Sequence, residues 1–239
     1  MARTNREHLD KWFDNNVDID NRFIYMGSTH KNDDEESGVD NFMAESFIKG
    51  IHILSAKSND PITILMNNPG GDWYHGMAIY DAIKTSTCYC NIKVYGHAMS
   101  MGSIILQAAD NRIMMPNSRF MIHYGYNGVN SHVKIFEKWA DEGKRLNYQM
   151  ENMYLDIMME KEEKEGHGYL AKKLSEIMTK QNALNYPPPT TTKNYNFSKT
   201  NKKEEIRVVL KEMLNFDTIL DPEETVTLGF ADEIETIKQ

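Results

Sequence analysis

Apolar positions along this chain follow two alternating rhythms. From Asp40, which reads as a helix cap, Met43, Phe47, Ile51 and Leu54 recur at helical spacing, and the pattern ends near Lys57. The next apolar run, Ile62-Thr63-Ile64-Leu65-Met66, reads as a buried strand leading into Asn67-Asn68-Pro69-Gly70-Gly71. A second helix follows from about Asp72, with Met77, Ile79, Tyr80 and Ile83 on it. Ile92 to Tyr95 then alternates like a strand, with Gly96 as its expected stop, and Ile104 to Ala109 reads as helix. Arg112 to Met115 and Arg119 to His123 are further short strands, and Arg22 to Met26, stopped by Gly27, is an earlier one. Strand and helix alternating in this way predict an α/β fold with a mostly parallel sheet covered by helices. Its functional loops belong at the carboxyl ends of strands.

Beyond His123 the rhythm changes. Residues 131–165 are charged and helical in pattern, with Ile135, Trp139, Leu146, Met150, Met153, Tyr154 and Ile157 as the apolar positions. That length exceeds a simple sheet-covering helix, so a projecting helix or an oligomer contact is expected. A second helical stretch runs roughly from His167 to Met178. Residues 181–203, centred on Tyr186-Pro187-Pro188-Pro189, lack backbone donors at the prolines and offer no core, which predicts an exposed insertion. Helix from Lys202 to Leu214, a short helix begun by Asp221-Pro222 with Glu224 behind it, and a strand from Ala231 to Ile237 complete the pattern. Residues 1–20 are polar and weakly patterned, and the whole of 1–239 reads as one domain.

Composition narrows the function classes. A net charge of −8 over 239 residues argues against nucleic acid or an anionic membrane as partner, since either selects a basic face. With no long apolar run and no apolar segment near Met1, neither a membrane span nor a secretory signal is expected, and the cytoplasm is the expected compartment. Two cysteines, Cys88 and Cys90, are too few for a disulfide framework or a metal cage and read as ordinary thiols; no cofactor is expected. The sixteen methionines fall largely in apolar stretches, where methionine is an adaptable core filler.

The candidate chemistry sits in GHAMSMGS, residues 96–103. Ser100 lies between a strand and an apolar helix, so its hydroxyl sits at a helix N-terminus, where free N–H groups and the dipole favour developing negative charge. Serine is also a common N-cap, and on this motif alone capping is the commoner meaning.

Taken together, MNNPGGDWYHGMAIYDAI (66–83), VYGHAMSMGSIILQAAD (94–110) and MMPNSRFMIHYG (114–125) resemble the proteolytic subunit of the Clp protease, a serine peptidase family of the crotonase-like superfamily. The resemblance runs from about Arg22 to Gly143 and resumes over Phe216 to Ile237. It implies a Clp-type crotonase-like fold of repeated β-β-α-type units, with Ser100 as nucleophile, His123 as general base and Asp217 as the carboxylate orienting the histidine. It also assigns the oxyanion hole to the N–H groups of Gly70 and Met101. That set is chemically coherent, because a serine hydroxyl attacks only when an imidazole takes its proton, and the imidazole needs a carboxylate to fix its tautomer.

The same resemblance implies hydrolysis of peptides or unfolded proteins through an acyl-enzyme, a ring or double ring of seven copies, and an ATPase unfoldase as partner. Several positions depart from the family pattern. Met99 precedes the serine where a small residue is usual, and Tyr124-Gly125 replaces a polar residue and proline. Phe216 stands where the family carries an arginine that pairs across two rings, and the N-terminal segment lacks the family's pore-lining stretch. Two other functions fit the fold: a silent subunit that assembles with an active paralogue, and an acyl-CoA-binding crotonase enzyme that needs an oxyanion hole but no triad.

Overall fold

The protein is described here as a computed structural model covering residues 12–27, 38–126, 128, 130–183 and 195–237, with backbone alone for 181–183. The chain divides into two compact units where the sequence pattern suggests one domain. Residues up to Met121, with Leu220–Pro222 and Ala231–Gln239, form the first; Ile122–Ile219 and Glu223–Phe230 form the second.

The first unit is built on a sheet whose strands are β1 (Val17–Asp18), β2 (Phe23–Met26), β3 (Ile62–Asn68), β4 (Cys90–Met99), β5 (Asn111–Met114), β6 (Arg119–Ile122) and β8 (Glu233–Ile234). Their order is β1-β2-β3-β4-β5-β8, with β6 also beside β4. β1 against β2 is antiparallel, whereas β2–β3, β3–β4, β4–β5, β4–β6 and β5–β8 are parallel, as the strand-helix alternation predicts. Alternate residues decide the faces: Ile62, Ile64 and Met66 of β3 are fully buried, as are Ile92 and Val94 of β4, while Thr63, Leu65 and Asn67 between them are half-buried.

Helices α1 (Asn41–Lys57) and α2 (Trp73–Lys84) start where the sequence indicates. Asp40 accepts from the Met43 N–H at 2.8 Å, and Asp72 from the His75 N–H at 2.9 Å, so each satisfies an orphan donor of the first turn. Met43, Phe47, Ile51 and Leu54 are the buried stripe of α1.

Gly96 does not end β4. The strand continues to Met99 because it changes partner, pairing with β5 over Asn91–Val94 and with β6 over His97–Met99. The glycine answers a close approach instead: a Cβ there would collide with Asn67 Oδ1, the oxygen that also accepts from the His97 N–H at 3.3 Å.

The second unit is mainly helical: α4 (Val133–Glu165), α5 (Tyr169–Ala183) and α6 (Lys202–Leu214), with the short strand β7 (Thr218–Leu220) following and most of α7 (Pro222–Thr227). The second half of α4 contributes Met150, Tyr154, Leu155 and Met158 to the core, and Tyr154 meets Phe230 edge-on at 5.5 Å. Its first half presents Val133, Ile135, Phe136 and Trp139 to solvent. Glu162, fully buried, turns the chain into α5 by accepting from the N–H groups of Gly168 at 2.7 Å and Leu170 at 2.8 Å.

The 181–203 span is not exposed throughout. Helix α5 continues to Ala183, and Phe197 is buried with the Tyr195 ring stacked on it at 6.1 Å. Tyr195 is tied down as well, its N–H donating to Ser175 Oγ at 3.0 Å. An aromatic pair supplies the packing that the surrounding polar composition conceals; Pro187–Pro189 lie outside the described residues. At the other end, the polar 1–20 segment includes β1, and the strand expected from Ala231 to Ile237 reduces to Glu233–Ile234.

Candidate active site

Ser100 follows β4 and immediately precedes α3 (Met101–Leu106), whose residues are all buried. Its backbone holds φ 50° and ψ −121°, a conformation that costs an L-residue about 1–3 kcal/mol and persists only where the surroundings impose it. Here they do: the Ser100 N–H donates to the Met121 carbonyl at 3.0 Å, and its own carbonyl accepts from the Ser103 N–H at 3.0 Å and the Ser103 hydroxyl at 2.5 Å. The side chain makes no capping bond to α3, so the N-cap role that the sequence motif allowed is not the one this serine plays. A strained strand-to-helix turn that lifts a hydroxyl off the helix end is the geometry of a nucleophile elbow.

Gly70 lies against this turn with φ +111°, and a Cβ there would sit 2.5 Å from Ser100 Cβ and 3.0 Å from its Oγ. Both the conformation and the close approach therefore require glycine. The neighbouring Gly71, at φ +139°, packs as tightly on Val39. Through the Val39 N–H to the Gly70 carbonyl (2.5 Å) and the Asp72 N–H to the Val39 carbonyl (2.8 Å), residue 39 pins the loop. The Gly70 N–H, expected to face an oxyanion, donates instead to Asn68 Oδ1 at 2.9 Å. Asn68 is fully buried, its amide donating to Met43 Sδ at 3.3 Å. Met101, the other expected donor, is buried as the first residue of α3.

His123 comes just after β6. Its Nδ1 lies 3.1 Å from Asp217 Oδ1, and its side chain is largely buried while the carboxylate of Asp217 is 58% exposed. The Tyr126 ring meets the imidazole edge-on, 5.4 Å between centroids. Asp217 sits between the end of α6 and β7, where the Thr218 hydroxyl donates to the Met213 carbonyl at 2.7 Å. The five residues singled out from sequence thus fall into two groups: Gly70 and Met101 with Ser100, and His123 with Asp217.

Two groups escaped the sequence reading. Asn68 looked like part of a turn, and only its buried bond to Gly70 gives it a place in the site. The other is Glu151, buried on α4, which accepts from the Tyr124 hydroxyl at 3.2 Å and from Arg207 Nη1 at 2.6 Å. Its signal was present: a carboxylate flanked by Met150, Tyr154, Leu155 and Met158 is a charge on an apolar face. Burial and the neighbouring Glu151 push the Tyr124 hydroxyl up to about 12, so it remains a donor. The bond to Glu151 likewise raises the affinity of Arg207 for its proton.

With this geometry in place, comparison with known proteins decides the family. The Clp protease family profile matches residues 35–186, more than half of the chain. The chain belongs to the Clp protease family. Among curated Clp proteolytic subunits, it is 33% identical over 129 residues to ATP-dependent Clp protease proteolytic subunit 2 of Pseudomonas aeruginosa, covering 53% of this chain and 64% of that one. It is 32% identical over 139 residues to the proteolytic subunit of Deinococcus radiodurans, with 57% and 64% covered. The match thus spans a little under two thirds of the length of these relatives. A solved structure of a ClpP1 mutant from Listeria monocytogenes superposes with a TM-score of 0.62, covering 92% of this chain and 94% of its own. At 21% identity that likeness establishes the shared fold. Among the described residues of this Clp family member, no helix is long and apolar enough to cross a membrane.

Proposed function

We propose that this Clp family subunit is a serine endopeptidase in which Ser100 Oγ attacks the peptide carbonyl, His123 takes the hydroxyl proton and returns it to the leaving amine, and Asp217 holds the imidazole. Water then releases the acyl group from Ser100 by the reverse proton path. The observation that carries this reading is the 3.1 Å approach of His123 Nδ1 to Asp217 Oδ1. A carboxylate at Nδ1 leaves Nε2 as the nitrogen that exchanges a proton with a hydroxyl. The strained backbone of Ser100, with its side chain spared from capping, supports the serine as the partner.

In this reading the Gly70 N–H exchanges Asn68 Oδ1 for the tetrahedral oxyanion, and the Met101 N–H serves as the second donor. The bond between Gly70 and Asn68 also favours a second reading, a silent subunit whose oxyanion hole is kept filled. A fluorophosphonate probe separates the two. Labelling of the parent protein that disappears in Ser100→Ala, with peptide hydrolysis reduced at least about a thousandfold, supports the peptidase. Residual hydrolysis within about tenfold of the parent in Ser100→Ala overturns the serine mechanism; a parent that is never labelled supports the silent subunit.

We propose peptides or unfolded polypeptides as substrates, handed over by an ATPase unfoldase, and assembly of this chain into rings. The exposed Val133, Ile135, Phe136 and Trp139 on the first half of α4 support self-association. Native mass measurement tests it, and a monomer at micromolar concentration counts against it.

A further inference from the structure

The backbone that leaves His123 is tied down at two successive amides. The Tyr124 N–H donates to the carbonyl of Leu214, the last residue of α6, at 2.8 Å, and the Gly125 N–H donates to Asn147 Oδ1 on α4 at 3.0 Å. Asp217 follows Leu214 in the chain, separated from it by Asn215 and Phe216. His123 and Asp217 are therefore suspended from the same end of α6, one through a backbone hydrogen bond and the other covalently. Whatever fixes α6 against α4 and against Tyr124 also fixes the approach of the imidazole to the carboxylate.

One carboxylate does both. Glu151 Oε1 accepts from Arg207 Nη1 at 2.6 Å and so grips α6; Oε2 accepts from the Tyr124 hydroxyl at 3.2 Å and so grips the residue after His123. Asn152 adds a second acceptor for Arg207 at 3.0 Å, and Lys211 Nζ lies 3.8 Å from Glu151. Glu151 is only 4% exposed, and in such surroundings charge-assisted hydrogen bonds hold their geometry better than surface pairs do.

We propose that Glu151 is a positioning residue for the His123–Asp217 pair, acting through Tyr124 on one side and Arg207 on the other. The inference rests on the serine peptidase reading. Misplacement of catalytic groups by fractions of an ångström lowers turnover steeply, whereas a buried residue that never meets substrate leaves substrate binding alone. Loss of the Tyr124 hydroxyl should therefore act on kcat and not on KM, and it should act only while Asp217 is there to be aligned.

The test compares the parent with Tyr124→Phe, Glu151→Gln, Asp217→Asn and the Tyr124→Phe/Asp217→Asn double variant. Its readouts are the fluorophosphonate labelling rate, kcat and KM on a small peptide, and the melting temperature. Tyr124→Phe and Glu151→Gln are expected to lower kcat and the labelling rate by about tenfold with KM within about twofold of the parent. On the Asp217→Asn background, Tyr124→Phe should add less than about twofold, because the two changes act on one contact. Should Glu151→Gln, by removing the buried charge opposite Arg207, unfold the protein, Tyr124→Phe, which removes one oxygen and keeps the ring, carries the test. A labelled parent with Tyr124→Phe within twofold of it, or losses that multiply in the double variant, overturns the inference alone. A parent that the probe never labels overturns the peptidase reading and this inference together.

Discussion

At Ser100 the backbone conformation can be measured separately from the chemistry. At φ 50° and ψ −121°, any side chain with a Cβ is strained, so glycine is the residue that relieves it. Elsewhere glycine is less stable than alanine by about 0.5–1 kcal/mol through its unfolded-state entropy. At this position the order should reverse. Ser100→Gly is expected to be at least as stable as Ser100→Ala, by up to about 1 kcal/mol in urea unfolding, while both lack hydrolysis. Alanine proving clearly the more stable of the two would mean that the turn stores no strain. Ser100 stood out in the sequence because it lies between a strand and an apolar helix, where periodicity locates a loop, whereas His123, although it ends a strand, was singled out only by the family resemblance. Asp217 had no such signal and came only from the family resemblance. Asn68 carried no signal, and Glu151 showed only as a charge on an apolar helix face, because their contacts depend on partners fixed by tertiary packing, Gly70 in one case and Tyr124 with Arg207 in the other.

Helix starts were easier to read than strand ends. Asp40 and Asp72 cap through their own side chains, a local chemistry written in neighbouring residues, and α6 begins and ends at the expected Lys202 and Leu214. Strand β4 was misjudged because its length depends on β6, which takes over as partner beyond Gly96. The junction of α4 and α5 illustrates a cap delivered from a distance. Glu162 accepts the Gly168 and Leu170 N–H groups from within the preceding helix, with His167 Nδ1 3.7 Å away. Glu162→Ala leaves the buried Leu170 N–H and the part-buried Gly168 N–H without this acceptor and is expected to cost about 1–3 kcal/mol. Glu162→Gln, which keeps one acceptor oxygen, should cost roughly half as much. Equal urea midpoints for the parent and Glu162→Ala would show that water reaches the turn and replaces the carboxylate.

Among the described residues, the raised proton affinities of the buried Cys90 thiol and of the half-buried Tyr124 and Tyr195 hydroxyls weaken the fold in alkali. Burial pushes the Cys90 thiol up to about 11 from its ordinary 9.0. Burial, reinforced by Glu151 and Glu212 respectively, pushes the Tyr124 and Tyr195 hydroxyls up to about 12 from 10.0. In each case the folded state keeps a proton that the unfolded chain gives up at lower pH. Their stabilisation is therefore complete below about pH 9 and is lost as pH rises between about 9 and 12. The urea midpoint should fall between about pH 8 and pH 10.5, and Tyr195→Phe should flatten that decline. A midpoint that holds steady over the range would show that these groups are hydrated in the folded protein.

The edge of β5 in the first unit is closed by β8, with Ile113 opposite Glu233 and Met114 opposite Ile234, and the join is clasped by Arg112 to Asp232 at 2.6 Å and Lys93 to Glu235 at 2.6 Å. The partner of Met114 is encoded 120 residues downstream of it. At a ribosome adding about 5–20 residues per second, the nascent sheet waits roughly 6–24 seconds with a bare parallel edge before its last strand exists. All the helices of the second unit are synthesised in that interval, so the edge is exposed while unrelated chain emerges beside it. Slower translation between codons 115 and 232 should therefore lower the soluble yield of this protein more than the same slowing placed before Asn91.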